Sequence, residues 1–405
     1  MMNHIPGGVC APKGFKAGGI HCGIRKNRTK RDLSMILSDV PAAAAAVYTS
    51  NLVKGAPIYV TRRNLRGGTA QLVICNSGNA NTCNADGEKV AWQMCELAGK
   101  AAGIAPDQVI VASTGVIGQP LSIDPIADGM DALYASLSDH GSAEAAEGIM
   151  TTDTRMKEVA VSFMVDGVEC RMGGIAKGSG MIHPNLATML VFLTTDCAIS
   201  SDMLQKALSE QVKDTFNMMS VDGDTSTNDT VAIMANGMAG NRMIDGEGDA
   251  FDAFSDALRA LTSTLCQMIA RDGEGATRLL TCVVTGGKTK LDAQKAAKSV
   301  ICSSLLKAAM FGADANWGRV LCALGYSGAE LDVSKVDVAF RSQKGEIAVC
   351  SMGSSIAFSE ETAKDILTED EIDILITLRD GDASATAWGC DLTYDYVKIN
   401  GDYRT

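Results

Sequence analysis

Short apolar runs bounded by turn residues recur along the chain, and such runs predict β-strands. Two of them flank Asp166-Gly167, a dipeptide that strongly favours a two-residue hairpin turn. A second turn is predicted at Lys344-Gly345, and the last three runs are expected to form a closing meander. The predicted strands are Ala70–Cys75, Gln108–Ala112, Val159–Val165, Val168–Gly173, Met189–Leu193, Val336–Arg341, Glu346–Cys350, Ile372–Leu378, Ala383–Gly389 and Thr393–Ile399.

Between these runs, apolar residues recur three or four positions apart, the spacing of helices that bury one face. One such stripe runs through Val90, Met94 and Leu97, and its methionine and leucine are interpreted as core residues. Ser200 and Ser201 are candidate N-caps for a later helix. The predicted helices are Lys89–Ala102, Ser201–Met218, Asp249–Arg271 and Leu291–Phe311.

This mixture of hairpins and intervening helices predicts the fold class. A chain of 405 residues has room for two or three domains or for one large two-lobed unit. Strand pairs joined by tight turns belong to antiparallel or mixed sheets and do not fit a simple doubly wound parallel sheet. We therefore predict a two-lobed, layered α/β protein with mixed and antiparallel sheets. The short alanine run at 42–46 is the one low-complexity segment noted.

Composition and charge argue against nucleic-acid-binding and membrane proteins. The 36 basic and 48 acidic side chains give a net charge of −12, which disfavours binding to nucleic acid. The basic cluster Arg25–Arg31 is interpreted as a solvated loop, with an anion contact as the alternative. The start of the chain has no apolar signal segment, and no apolar run reaches the length of a membrane span. A cytoplasmic protein without membrane association is predicted.

The thirteen cysteines do not indicate a disulfide framework, because their number is odd and no CxxC pair occurs. Several lie in apolar stretches, as expected for buried free thiols in a reducing compartment. The four histidines show no zinc-binding spacing, so no metal site is predicted. The glycine-rich segment 173–180 lacks the spacing of a phosphate-binding P-loop, and neither a dinucleotide fingerprint nor a serine nucleophile elbow occurs. We therefore predict no cofactor.

The segment 177–190 combines features that could support self-cleavage. A glycine-rich turn and a Pro-Asn loop lead to Ala187, and Thr188 then opens an apolar strand. A rigidly held Thr188 hydroxyl could attack the unhindered Ala187 carbonyl and convert the peptide into an ester. Water would then hydrolyse the ester and complete the cut. The spacing alone does not establish this, because a threonine that opens a strand is usually there as a β-former.

Nine sequence blocks are spread along nearly the whole chain: GGVCAPKGFKAGGIHCGIR, NSGNANTCN, STGVIG, MTTDT, KGSGMIHPNLATML, VDGDTSTND, DGEGATR, ADANWGR and GCDLTYDYVKINGDYRT. In this order they resemble the glutamate N-acetyltransferase (ornithine acetyltransferase) family of arginine biosynthesis. Ala315 departs from the proline common in its block, as do a few cysteine and histidine positions near the start, but no departure touches residues 187 and 188.

The resemblance implies cleavage between Ala187 and Thr188, which gives an α chain of residues 1–187 and a β chain of residues 188–405 interleaved in one body. Thr188 would be the nucleophile, and its new α-amine, with a reference pKa of ~8, could accept the hydroxyl proton. Thr114 and Gly115 would form the oxyanion hole. His183 is interpreted as a loop residue. The implied substrate-binding residues are Thr151, Lys177, Thr188, Glu274, Asn400 and Thr405.

The implied reaction moves an acetyl group from N2-acetyl-L-ornithine to L-glutamate through an acetyl-Thr188 ester. Acetyl-CoA as a second donor stays open, because the family contains both behaviours. The expected partners are these small substrates and a second copy of each chain, in a heterotetramer of two α and two β chains. Two alternatives are a self-processed aminopeptidase or amidase that uses water as the acceptor, and a non-catalytic binding protein. Intact Ala187 and Thr188 argue against the second.

Overall fold

The computed structural model of the protein describes residues 2–26, 29–183 and 189–401. Its strands are β1 (Asn3–Ile5), β2 (Phe15–Ile20), β3 (Leu33–Tyr48), β4 (Thr69–Asn76), β5 (Val109–Ser113), β6 (Lys157–Val165), β7 (Val168–Lys177), β8 (Leu190–Thr195), β9 (Met219–Ser220), β10 (Thr230–Ala235), β11 (Leu279–Gly287), β12 (Asp337–Ser342), β13 (Gly345–Ser351), β14 (Ser354–Ser355), β15 (Glu371–Thr377) and β16 (Ala383–Cys390). Its helices are α1 (Ala56–Asn64), α2 (Gly87–Ala102), α3 (Asp124–Ala135), α4 (Ser142–Ile149), α5 (Ser201–Asp214), α6 (Asp249–Arg271), α7 (Lys290–Cys302), α8 (Ser304–Phe311), α9 (Trp317–Gly325), α10 (Glu360–Leu367) and α11 (Tyr394–Gly401).

The first sheet has the order β1-β6-β7-β8-β10-β3-β4-β5, with β2 beside one half of β3. Most neighbours are antiparallel, but β8 pairs in parallel with β10, and β4 with β5. The long strand β3 contains the alanine run, whose members alternate between two hydrophobic clusters on opposite faces of the sheet. Alanine is a weak strand former, so pairing on both edges of β3 overrides its local preference.

The second sheet has the order β14-β13-β12-β15-β11-β16-β9. The predicted closing meander is therefore wrong: β11 lies between β15 and β16, parallel to the first and antiparallel to the second. Residues 393–399, predicted as a strand, lie mostly in helix α11. Their aromatic and β-branched residues favour a strand locally, but no edge of the sheet pairs with them. The ring of Tyr394 instead packs against Phe311, with centroids 5.7 Å apart.

The predicted hairpin at Asp166-Gly167 is confirmed. Val165 pairs with Val168, and both turn residues have positive φ, 47° and 81°, as a two-residue turn between twisted strands requires. The second hairpin is displaced by one residue from the prediction, because Ser342 pairs with Gly345 and the turn residues are therefore 343 and 344.

The predicted helix 249–271 is confirmed as α6, and Lys89–Ala102 and Ser201–Met218 correspond to α2 and α5 with shifted ends. Ser200 caps α5, since its hydroxyl accepts a hydrogen bond from the Met203 amide. The predicted helix Leu291–Phe311 is interrupted. Ser303 has extended backbone angles, and its hydroxyl accepts from the Leu306 amide, so that α7 ends and α8 begins there.

Helix α6 joins the two sheets into one core. It contacts β6 and β7 of the first sheet and β11 and β16 of the second. Its buried stripe includes Phe254, Leu258 and Leu265, in one hydrophobic cluster with residues of both sheets. The layered α/β prediction with mixed sheets is confirmed. None of the helices within the described ranges is long and apolar enough to cross a membrane.

All thirteen cysteines lie in the described ranges and are free thiols, as predicted. Nine of them are buried. Burial raises the pKa of thiols such as Cys10 and Cys22 to about 12, which makes them poor nucleophiles at neutral pH.

Candidate active site

A pocket of about 140 Å³ lies where β5, β7 and β8 reach one end of the first sheet. Ala187, Thr188 and Thr405 lie outside the described residues. Met189, which is peptide-bonded to Thr188, lines the pocket. The remaining predicted site residues come from separate parts of the sequence and all line it too. They are Thr114, Gly115, Thr151, Lys177, Glu274 and Asn400.

The turn after β5 presents Thr114 and Gly115 to the pocket. The Thr114 amide donates to the Asn76 carbonyl oxygen at 3.0 Å, so its hydroxyl is the group left for a ligand. Gly115 has a φ of 133°, and a Cβ there would lie 2.3 Å from the carbonyl carbon of Gly78. Glycine is thus the residue that lets this turn pack directly on the neighbouring loop.

Asn228 holds the turn after β5 in place through its side-chain hydrogen bonds. Sequence reasoning missed this role. Its amide nitrogen donates to the carbonyl oxygens of Ser113, at 2.9 Å, and Ala80, at 2.5 Å. Its side-chain oxygen accepts from the hydroxyls of Thr82 and Thr227, each at 2.6 Å. Asn228 falls in the block VDGDTSTND, so the resemblance marked the segment without identifying the residue.

Lys177 ends β7 and is buried in the pocket wall, with 8% of its surface exposed. Its ammonium group makes no hydrogen bond or ion pair with any residue in the described part of the chain. Asp153 and Asp229 interact with this charge only from beyond ion-pair distance, so a bound anion would further offset the cost of burying it. The arrangement therefore suits a carboxylate bound beside Lys177.

A buried triad of charges holds the backbone around Lys177. The Lys157 ammonium lies 2.8 Å from Oδ1 of Asp153 and 2.5 Å from Oδ2 of Asp272. Asp153 accepts from the amides of Thr151 and Gly178, at 2.9 and 2.7 Å. These bonds connect the triad to both Thr151 and the end of β7. Sequence reasoning missed the triad, although both carboxylates fall within quoted blocks.

The charge of Asp153 suits it to accept hydrogen bonds from these backbone amides. Burial alone would raise the pKa of its carboxyl, but the cations Lys157 and Lys177, together with donated hydrogen bonds, hold that pKa below its usual range. Asp153 is therefore ionised throughout the physiological range. Asp272 accepts hydrogen bonds from the amides of Thr154 and Arg155, so the triad also connects the end of α6 to the segment that carries Thr151.

Glu274 and Asn400 form the third wall of the pocket. The Asn400 amide donates to Oε2 of Glu274 at 2.7 Å, and the Glu274 backbone amide donates to the Ser179 carbonyl at 2.9 Å. Asn400 belongs to α11, so the helix that replaces the predicted strand brings the end of the chain to the pocket.

His183 lies in an irregular segment, as predicted, and is not among the described residues that line the pocket. Its Nδ1 is 3.1 Å from the Ser220 hydroxyl and 3.4 Å from the Cys302 sulfur. Burial, helped by the nearby Lys298 charge and opposed by Asp222, lowers the pKa of His183 to about 4. No group of three His, Cys, Asp or Glu side chains within the described ranges could hold a metal ion.

A family profile, related sequences and a solved structure all match this chain and point to the same family. The sequence profile of the ArgJ family matches residues 16–405. The arginine biosynthesis bifunctional protein ArgJ of Caldanaerobacter subterraneus subsp. tengcongensis is 49% identical over 405 residues, 100% of each chain. The protein of the same name from Bacillus subtilis is 45% identical over 403 residues, 99% of this chain and 97% of its own. A crystal structure of the Bacillus halodurans protein matches with 45% identity and a TM-score of 0.50, covering 52% of this chain and 98% of its own.

The triad predicts a large difference between two lysine substitutions. Lys157→Met leaves two buried carboxylates without their cation, which should lower the free energy of unfolding by about 3–5 kcal/mol. The control is Lys16→Met, because Lys16 forms an exposed pair with Asp39 at 2.9 Å, and such pairs contribute about 0–1 kcal/mol. Denaturant unfolding of both variants makes the comparison. Equal, small losses would contradict the importance given to the triad.

Proposed function

The chain belongs to the ArgJ family, and from that premise we propose that it transfers the acetyl group of N2-acetyl-L-ornithine to L-glutamate through an acetyl ester of Thr188. The products are ornithine and N-acetylglutamate. The observation that carries the proposal is the pocket itself: six residues implied by the resemblance, spread from 114 to 400, line one cavity beside Met189. The protein is an enzyme of arginine biosynthesis, like the family members it matches.

The proposed mature enzyme consists of residues 1–187 and 188–405, produced by self-cleavage. Met189 supports this, because it lines the pocket and is bonded to the proposed nucleophile. The Bacillus halodurans chain offers further support, since 98% of it covers only 52% of this chain. A solved chain of about half this length fits a family whose members exist as two pieces.

In the proposed reaction, the α-amine of Thr188 accepts the proton of its own hydroxyl as the oxygen attacks the acetyl carbonyl. The negative charge that forms on the carbonyl oxygen needs donors. The Thr114 hydroxyl and the Gly115 amide are the proposed donors. The Thr114 hydroxyl is chosen because the Thr114 amide already donates to the Asn76 carbonyl oxygen. The amine of ornithine leaves with the proton held by Thr188. Glutamate then attacks the ester with its own amine and regenerates the hydroxyl.

Lys177 is the proposed partner of the α-carboxylate that both substrates share. The far ends of the substrates differ, because ornithine carries an amine where glutamate carries a carboxylate. Glu274, Asn400, Thr151 and Thr405 complete the proposed pocket, with Glu274 near the substrate amino group. The hydrogen bond between Glu274 and Asn400 supports their acting together.

Acetylation of glutamate from acetyl-CoA is the second proposed activity, and the name "bifunctional" of the relatives supports a second reaction. Acetyl-CoA would act there as a co-substrate, and no bound cofactor is proposed. The proposed assembly contains two copies of each chain. An assay with labelled acetylornithine and glutamate, repeated with acetyl-CoA, tests both reactions. Release of free acetate without N-acetylglutamate would favour the amidase alternative.

Self-cleavage predicts two bands on a denaturing gel, with Thr188 as the first residue of one. Thr188→Ala should leave the chain uncut and inactive, because no hydroxyl remains to attack the Ala187 carbonyl. Thr362→Ala is the control, since Thr362 is exposed on α10, and it should be cut normally. Gel analysis and N-terminal sequencing decide the matter. Cleavage that persists in Thr188→Ala would falsify the mechanism.

The oxyanion proposal predicts a specific loss at Thr114. Thr114→Ala removes the hydroxyl and should lower turnover by ~10²–10³, the usual cost of one such donor. Thr114→Ser keeps a hydroxyl and should retain most of the activity. Steady-state kinetics on fully cleaved protein compare the two variants. Near-normal turnover of Thr114→Ala would remove its hydroxyl from the oxyanion hole.

The end of the chain should matter for transfer and not for cleavage. A chain that stops at Ile399 lacks Asn400 and Thr405, so the pocket loses the wall that holds Glu274. Acetyl transfer should fall strongly while self-cleavage continues, because cleavage uses no external substrate. Asn400→Ala tests the hydrogen bond alone, and Lys398→Ala is the control on the same helix. Full transfer activity of the shortened chain would exclude Asn400 and Thr405 from the site.

A further inference from the structure

Gly180 lines the pocket at a point where the space for a side chain is already taken. An ideal Cβ built on Gly180 would lie 2.5 Å or less from the carboxyl carbon and from both oxygens of Glu274. Non-bonded carbon atoms prefer a separation of about 3.5–4.0 Å. The Glu274 carboxylate therefore occupies the volume that the side chain of any other residue at position 180 would need.

The backbone conformation at Gly180 does not itself require glycine, because its φ lies outside the left-handed region. Gly115, the other glycine among the described residues that line the pocket, differs in both respects. It has a φ of 133°, and its Cβ would meet the backbone of Gly78. The obstacle at Gly180 is instead the end of a flexible side chain. A side chain at position 180 should thus move the Glu274 carboxylate and leave the fold intact.

Hydrogen bonds hold the backbone on both sides of Gly180. The Ser179 carbonyl oxygen accepts from the Glu274 amide at 2.9 Å. On the other side, the Met181 amide donates to Oδ2 of Asp222 at 2.6 Å. The backbone could retreat from a new Cβ only by breaking such bonds, whereas the carboxylate can turn away by rotation about its own side-chain bonds. The same bonds argue against the alternative that glycine serves here to make the segment flexible.

The position of the Glu274 carboxylate matters for the proposed binding of substrate. Its Oε2 atom accepts from the Asn400 amide at 2.7 Å, and a displaced carboxylate would lose that bond. Lys177 and Gly180 belong to one short segment that begins at the end of β7. In the proposed function, Lys177 binds the α-carboxylate and Glu274 lies near the amino group. An α-amino acid carries both groups on one carbon, so the two charges of the pocket need a fixed spacing.

We propose that Gly180 is a positioning residue for the amino-acid substrate. Its missing side chain lets the Glu274 carboxylate lie against the backbone, at the spacing from Lys177 that the two groups on the substrate α-carbon require. The inference rests on the proposed function, which it deepens by adding a residue that acts through Glu274.

The kinetic test uses fully cleaved protein, with N2-acetyl-L-ornithine as donor and L-glutamate varied. Gly180→Ala should lower kcat/KM for glutamate ~10–100-fold, mainly through KM, because it displaces a charged partner of the substrate. Glu274→Asp provides the second background, since its carboxylate is one methylene shorter and does not reach the space over Gly180. Gly180→Ala should cost little more in that background. Equal costs in the two backgrounds would show that Gly180 does not act through Glu274 and would overturn the inference.

Gly67→Ala is the matched control. Gly67 is exposed and its φ is also outside the left-handed region, and a Cβ there would meet no atom of the described residues within 4 Å. Its kinetics should equal those of wild type.

Self-cleavage is compared in the same two backgrounds on a denaturing gel, because Gly180 lies shortly before the proposed cut. If Gly180→Ala slows cleavage, Glu274→Asp should restore it. A Gly180→Ala chain that stays uncut in both backgrounds overturns the inference, since Gly180 would then act on the segment before the cut.

A crystal structure of the Gly180→Ala variant tests the placement without an assay. The Glu274 carboxylate should be turned away and its bond from Asn400 lost, while the bond from the Glu274 amide to the Ser179 carbonyl is kept. An unmoved carboxylate beside a shifted backbone overturns the inference. A wild-type enzyme that transfers no acetyl group overturns the proposed function instead, and the crystal structure then still decides whether Gly180 positions Glu274.

Discussion

The buried triad of Asp153, Lys157 and Asp272 is the interaction on which the geometry of the pocket depends. Apolar residues of similar volume could stabilise the fold as well, since buried ion pairs often contribute little net stability. They could not, however, accept hydrogen bonds from the amides of Thr151, Gly178 and Thr154. The triad thus fixes three backbone segments relative to one another. Lys177 and Glu274 are each close in sequence to one of the fixed segments, and therefore keep their positions without direct ion pairs to each other.

The opposite wall of the pocket is held by neutral groups. Asn228 links the ends of two segments through backbone carbonyls, and the Gly115 turn packs on the backbone of Gly78. These two braces are themselves uncharged. The transient negative charge of the reaction would therefore interact with directed N–H and O–H dipoles, which need no reorganisation when that charge appears. In the proposed mechanism, charge on one wall binds the substrate and dipoles on the other stabilise the transition state.

Local patterns allowed much of the fold to be predicted, and long-range contacts account for the errors. Helix α6 and the hairpin between β6 and β7 follow from periodicity and from a dipeptide that favours the turn. The placement of β11 between β15 and β16 depends on pairing between segments about 90 residues apart or more, and no local pattern encodes it. The predicted site residues came from a resemblance to a family. The triad and Asn228 lay beyond sequence reasoning because their partners are distant in the chain, such as the 115 residues between Lys157 and Asp272.

Lys177 and Asp229 both line the pocket near the start of β8, and their charges bear on the proposed mechanism. In the proposed mechanism the amine of Thr188 has to be neutral to act as a base, and the Lys177 charge favours the neutral form by lowering the pKa of that amine. An ionised carboxylate on the other side would raise that pKa and cancel the effect. Burial raises the pKa of the Asp229 carboxyl well above its usual range, which opposes a negative charge at this position. The burial of Asp229 therefore works against a carboxylate that would stabilise the ammonium form of the proposed base.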